Sequence, residues 1–422
     1  MSVNEEKKKL SFGCFKVNLT IANLFFALLG IISRVGINVA LPLWIDSQKS
    51  EEKTTQSNST CSNSTGSNHT NTYTPKIGPY FIISFLGIML TLLNGIALAV
   101  YRLFHANAFG ETEKSFPKSQ LFFVALLLSM NEIFIGFSSS HERTPLSLQS
   151  ILANTTIPMV IIMRYFILRK QPTRRKLVCA TVISICLFFC FIPSIFPSIG
   201  DKRDNNVTNG TESIKWSLVF MAGSVPAAAS MVYGEKILKT ETSSEKRELN
   251  VMYFVFMVRV YVFVIVTCLF FVDIIPGFGY AQSISQLFEN WFYGFQCFFG
   301  GAGCDRIFGF YGTLCLCMMI TNYIAMSNLT RYSEGATLVA LVSTVSTPLG
   351  FLFWTIFSEP PFKFNPVWHN AVLFPLFGVL PMIPAIYFYK TGNQEKVVEK
   401  KREKEESQAL MEGNHHSINK YV

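Results

Sequence analysis

Apolar residues in this chain gather into runs of about twenty or more, separated by short polar stretches, and a helix of about twenty residues crosses a hydrocarbon core. Ten such runs are read, at about 17–45, 77–104, 119–139, 146–168, 177–199, 214–238, 250–275, 307–329, 336–357 and 367–389. In lipid every backbone polar group must be paired within its own segment or barrel, so runs of this length predict helices. The expected fold is an all-α membrane protein with ten transmembrane helices. A polar loop at 200–213 separates a first set of five (17–199) from a second (214–390), with polar tails at 1–16 and 391–422. An even number of crossings puts both tails on one side.

The two sets carry a related pattern. SILANTTIPMVIIMRYF (150–166) in the fourth run matches ALVSTVSTPLGFLFWTI (340–356) in the ninth: a hydroxyl-rich or amide-rich half, a proline, then bulky apolar residues. Repeats of an odd number of spans lie in opposite orientations, the inverted architecture in which transporters place a site near the midplane. Pro158 and Pro348 are expected helix bends, because each removes a backbone donor and frees a carbonyl one turn earlier. Asn154, Thr155 and Thr156 before the first bend, and Ser346 and Thr347 before the second, then either line a polar cavity or bond back to their own helices.

Composition sharpens this picture. Half of the 422 residues are hydrophobic and only 15% are charged, with 40 Phe and a mean hydropathy of +0.34. A soluble domain carries about 25% charged residues. A net charge of +9 would point to nucleic acid in a soluble protein. Here most of the Lys and Arg residues sit in the tails and short loops of one side, as in Arg169, Lys170, Arg174, Arg175 and Lys176, and fewer on the other, which orients the chain with both termini cytosolic. Sequons at Asn58, Asn63, Asn68, Asn206 and Asn209 fall in loops on the opposite side, where N-glycosylation occurs. No cleavable signal peptide is visible, since the first long apolar run exceeds an h-region.

Four full charges interrupt the spans: Arg34, Glu132, Arg164 and Arg259. A charge at a bilayer centre costs at least about 2.5–3.5 kcal/mol, so such groups face the bundle interior, a wet pathway or each other. Arg164 lies near the basic cytosolic cluster and is free to snorkel there. Arg34 and Arg259 are the stronger cavity candidates, and an excess of arginine suits a solute with an anionic part. Glu132 sits in QLFFVALLLSMNEIFIGFSSS and is the group placed to bind a proton or an amine; burial favours its neutral form and a neighbouring arginine its ionised form. Gln149, at the start of the fourth span, would guard the cavity mouth. The bland alternative is a structural ion pair between Glu132 and one arginine.

Most of the ten cysteines fall within spans and read as small apolar fillers. Cys297 and Cys304 share the 276–306 loop on the oxidising side, where they form a disulfide or remain two thiols. No histidine stands at ligand spacing from Cys, Asp or Glu, and no P-loop or paired acidic motif occurs, so neither metal, cofactor nor enzyme activity is expected.

LQSILANTTIP, followed by ILRKQPTRRKLVCATVI, resembles the fourth and fifth spans of the chloroquine-resistance transporter (CRT-like) family of the drug/metabolite transporter superfamily. The resemblance implies ten spans in two inverted halves. It places Glu132 at an acidic position of the third span and Arg34 at a basic position of the first. It sets Glu235, in MVYGEKILK, at an acidic position near the end of the sixth. A disulfide between Cys297 and Cys304 is implied by the disulfides that the family carries in the loop between spans seven and eight. So is a role at an acidic vacuole or lysosome, exporting amino acids, small peptides or thiols such as glutathione with protons, for nutrient supply and osmotic balance.

The tail adds EESQALM, in which Glu406 precedes Leu410 and Met411 as in an acidic dileucine signal for adaptor binding. The expected partners are therefore the bilayer, a small solute, protons and a sorting adaptor. The rival reading is a nucleotide-sugar antiporter of the secretory pathway, which would also place arginines on an anion.

Overall fold

The computed structural model describes residues 9–12, 15–46, 75–104, 113, 115–140, 143–144, 148–149, 152–169, 174–195, 210–239 and 249–332, with scattered residues between 338 and 384. The five sequons, Thr347, Pro348, Glu406, Leu410 and Met411 lie outside the described residues, as does most of the expected ninth and tenth spans.

A short antiparallel hairpin opens the described chain, β1 (Lys9–Phe12) against β2 (Phe15–Asn18), in a segment expected to be tail. The remainder is helical: α1 (Leu19–Asp46), α2 (Pro79–Phe104), α3 (Lys118–Ser138), α4 (Thr156–Leu168), α5 (Arg174–Ile195), α6 (Gly210–Lys239), α7 (Val251–Cys268), α8 (Ile284–Phe298) and α9 (Arg306–Tyr332). Short 3₁₀ turns precede α4 at Ala153–Thr155 and follow α7 at Phe270–Ile274.

Among the described residues six helices are long and apolar enough to cross a membrane: α1, α2, α3, α6, α7 and α9. The fourth and fifth runs appear as shorter apolar helices at Ala153–Leu168 and Leu177–Cys186. Outward surfaces are apolar too, with Phe166, Phe122 and Leu103 exposed at 68%, 44% and 82%. A helix apolar on all sides has lipid as its solvent. The molecule is a multi-pass membrane protein.

Packing follows small residues and aromatics. α1 lies along α9, where Met326 covers Gly30 and Met318 covers Gly36. α6 lies against α3 and α4, and α7 against α2 and α3. At the end of the bundle where α1 finishes and α2 begins, Trp44, Phe81, Phe85, Phe298 and Phe308 form an aromatic cluster with ring centroids 4.5–6.3 Å apart. Arg143 fastens the same end. Its guanidinium donates to the carbonyls of Phe137 (2.7 Å) and Phe278 (2.9 Å) and lies 3.8 Å from the Trp216 ring centroid.

The 276–306 stretch, expected to be a loop, contains α8. Ser283 caps it by accepting the Gln286 N–H, and Leu287, Asn290, Gly294 and Cys297 form its buried side. A disulfide joins Cys297 to Cys304 just past its end. The chain reaches α8 through a tight return in which the Ala281 N–H bonds the Asp273 carbonyl (3.1 Å). Only glycine fits at 279 in that return, because a Cβ there would run into the Asp273 carbonyl.

Candidate functional site

A cavity of about 330 Å³ opens between the α1–α9 pair and the group formed by α3, α6 and α7, with the first turns of α2 along its wall. Helical spacing decides which side chains reach it. Residues three and four apart share a face, so α3 presents Val124, Leu128, Asn131, Glu132, Ile135 and Ser139. By the same rule α1 presents Arg34, Asn38, Leu41 and Ile45, and α9 presents Met319, Asn322, Tyr323 and Met326.

Most of the wall is apolar. Among the described residues only Arg34, Glu132 and Arg259 bring full charges to it. Arg259 is fully enclosed, and its Nη1 donates to Glu132 Oε1 at 2.7 Å. The Tyr323 hydroxyl reaches the same carboxylate oxygen at 3.5 Å, and the Arg259 guanidinium carbon lies 3.7 Å from the Tyr323 ring centroid. The charge therefore rests on an aromatic face as well as on a carboxylate, which holds the guanidinium plane in one orientation. Nη2 of Arg259 is buried without a hydrogen-bond partner, as is Oδ1 of Asn131 next to Glu132 in sequence. Polar atoms stranded in this way are ordinarily satisfied by water or a ligand. Arg34 lines the same cavity from α1 and makes neither an ion pair nor a hydrogen bond among the described residues.

The structure thus brings Arg34, Glu132, Arg259, Gln149 and Thr156 to one cavity. Gln149 spends its amide donors on the carbonyls of Ser139 (2.9 Å) and Thr144 (2.7 Å), tying the connection between α3 and α4 across the cavity edge. Asn154 and Thr155 are buried but do not line the cavity. The reason is angular: successive helical residues point about 100° apart, so only Thr156 of the three faces inward. Ser346 is also buried away from the wall, its hydroxyl donating to the Ser343 carbonyl at 2.5 Å. Pro158 lies inside α4, two residues past its start, where a missing donor is tolerated. Arg164 does not reach for the surface. It pairs with buried Glu235 at 3.0 Å, and Lys239 approaches the same oxygen at 3.7 Å, so α4 is bound to α6.

A family model described as CRT-like, chloroquine-resistance transporter-like, matches residues 79–358. The chain belongs to the CRT-like family. The match runs from α2 past α9, so Glu132, Arg259 and Tyr323 fall within it and Arg34 lies before it. CRT-like proteins are membrane transporters of the drug/metabolite type, and the cavity lies inside the CRT-like stretch except for its α1 wall. Among curated proteins none matches the chain.

Tyr323 is a cavity residue that the sequence pattern did not single out. A tyrosine in an apolar run reads as a packing aromatic; the available signal was its place beside Asn322, one turn from the polar positions of the same helix face.

Proposed function

We propose that the protein is a proton-coupled secondary transporter that exports small solutes from a vacuole or lysosome by alternating access. The solutes are amino acids, small peptides or thiols such as glutathione. The observation that carries this reading is the cavity: among the described residues, one ion pair and one unpaired guanidinium enclosed by helices whose outer faces are apolar. A group as costly to bury as Arg34 calls for an occupant that offsets it, and a solute carboxylate does so. Membership of a transporter family supports the activity class, and the charged groups in the cavity support a solute site there.

In this reading ten spans form two inverted halves with both tails cytosolic. The basic loops and the sequons at Asn58, Asn63, Asn68, Asn206 and Asn209 support that orientation, and the Glu406, Leu410 and Met411 signal supports delivery to an endolysosomal membrane through an adaptor. Pro158, in the first turn of α4, and Pro348 hold matching places in the two halves. The protein has no catalytic role here; protons and solute are its only cargo.

Purified protein in proteoliposomes with an imposed pH gradient tests the reading. Radiolabelled amino acids, dipeptides, glutathione and a nucleotide sugar are offered in parallel. Gradient-driven uptake of any of the first three is the expected result. Uptake of the nucleotide sugar alone would assign the antiporter reading, in which Arg34 and Arg259 grip a pyrophosphate.

A further inference from the structure

We propose that proton and solute meet at a single guanidinium. Glu132 holds Arg259 when the cavity is empty, and a proton on Glu132 releases Arg259 to the carboxylate of a monoanionic solute, which Arg34 holds from the other side. This rests on the transporter reading and adds to it the chemistry of the solute and its linkage to the proton.

The charges define the solute. Arg34, Arg259 and Glu132 leave the described cavity wall with one unbalanced positive charge, on Arg34. In a low-dielectric site that charge favours an anion over a neutral or cationic solute. Nη2 of Arg259, buried and without a hydrogen-bond partner while the pair is intact, becomes the second donor when Glu132 lets go. A carboxylate needs two or more donors in a fixed plane, and guanidinium groups supply them. Asn131 lines the same cavity, and its buried Oδ1 has no hydrogen-bond partner, so it is an acceptor left for an amide or amine N–H of the solute. An acylated amino acid or short peptide has both groups.

The proton follows from crowding. Two carboxylates competing for one enclosed guanidinium repel each other, and one of them takes up a proton. The group able to do so is Glu132, because the solute's carboxylate gains Arg34 as well. Arg259 keeps its place when Glu132 lets go, since the Tyr323 ring supports it from α9. The groups facing Glu132 are Arg259 from α7 and Tyr323 from α9, and Arg34 lines the same cavity from α1. Among the described residues α2 and α6 bring no titratable side chain to the cavity wall. Linkage is reciprocal: a proton on Glu132 raises the affinity for the anion, and the anion raises the affinity for the proton by the same factor. One proton and one monoanion carry no net charge together, so transport is electroneutral.

The test uses reconstituted full-length protein and matched probes, N-acetylleucine and N-acetylalanylalanine against their C-terminal amides. Exchange across the membrane is measured at symmetric pH, with voltage clamped by potassium and valinomycin. The acids are expected to exchange at least about tenfold better than the amides. Their apparent affinity should improve by up to about tenfold for each unit fall in pH, as one linked proton requires. Clamped voltage should leave uptake unchanged. Glu132→Gln should bind the acids more tightly at neutral pH and lose the pH dependence, and Arg34→Gln should erase the preference for acid over amide. Equal exchange of acids and amides overturns the inference while leaving the transporter reading in place, as does pH dependence that survives in Glu132→Gln. Exchange of no probe, together with no uptake in the solute panel above, overturns both.

Discussion

Removing one member of the Glu132–Arg259 pair strands the other charge in an enclosed site, and this is more damaging than removing both. Breaking a buried pair by one substitution typically costs about 3–5 kcal/mol, whereas replacing both partners by well-packed neutral groups is often close to neutral. Glu132→Leu alone is therefore expected to lower the melting temperature of the detergent-solubilised protein well below that of the double variant Glu132→Leu/Arg259→Met. Thermal denaturation followed by tryptophan fluorescence checks this order, and additive losses would mean that the two charges are not coupled. The sequence pattern exposed these residues because a full charge in an apolar run has few explanations. It did not say which arginine Glu132 would meet, since partner choice is set by packing between elements 127 positions apart in the chain. Arg164 shows the same limit: its distance from the basic cluster suggested a surface role, but α6 brings Glu235 within 3.0 Å. The run Asn154, Thr155, Thr156 was legible as polar, and only the rotation of the helix start sorts one inward residue from two buried ones.

At the scale of elements, contact between α1 and α9 depends on two glycines. A Cβ on Gly36 would lie 2.7 Å from Met318 Cγ, and one on Gly30 would lie 2.8 Å from Met326 Cε. Methionine side chains adapt, so Gly36→Ala should be tolerated with a modest loss. Gly36→Leu should force the helices apart and cost about 1–3 kcal/mol as overpacking does, read as an earlier melting transition than that of the alanine variant. Equal melting of the two would show that α9 does not rest on Gly36. Long apolar runs made most helices readable, because hydropathy summed over about twenty residues is a strong signal. α8 escaped the same reading because it is amphipathic: Leu287, Asn290, Gly294 and Cys297 face inward while Phe288 and Phe292 face out. A search for spans passes over such a helix, although the spacing of Ile284, Leu287, Phe288, Trp291 and Phe295 marks it.

For the whole molecule, the cavity is where the separate elements converge. α1 and α9 bring Arg34 and Tyr323 to it, α3 brings Glu132, and α7 brings Arg259. If solute passes through this space, filling it must stop transport without touching any charge. Ala227 on α6 lines the cavity and carries the smallest side chain that projects there from the middle of that helix. The most direct measurement is uptake of the solute panel into proteoliposomes under an imposed pH gradient, for wild type and Ala227→Trp reconstituted at equal density. Wild-type uptake with at least about a tenfold loss in Ala227→Trp, in protein that still elutes as a single species, is the predicted result. Undiminished uptake in Ala227→Trp would contradict the account, because it would place the solute path outside this cavity.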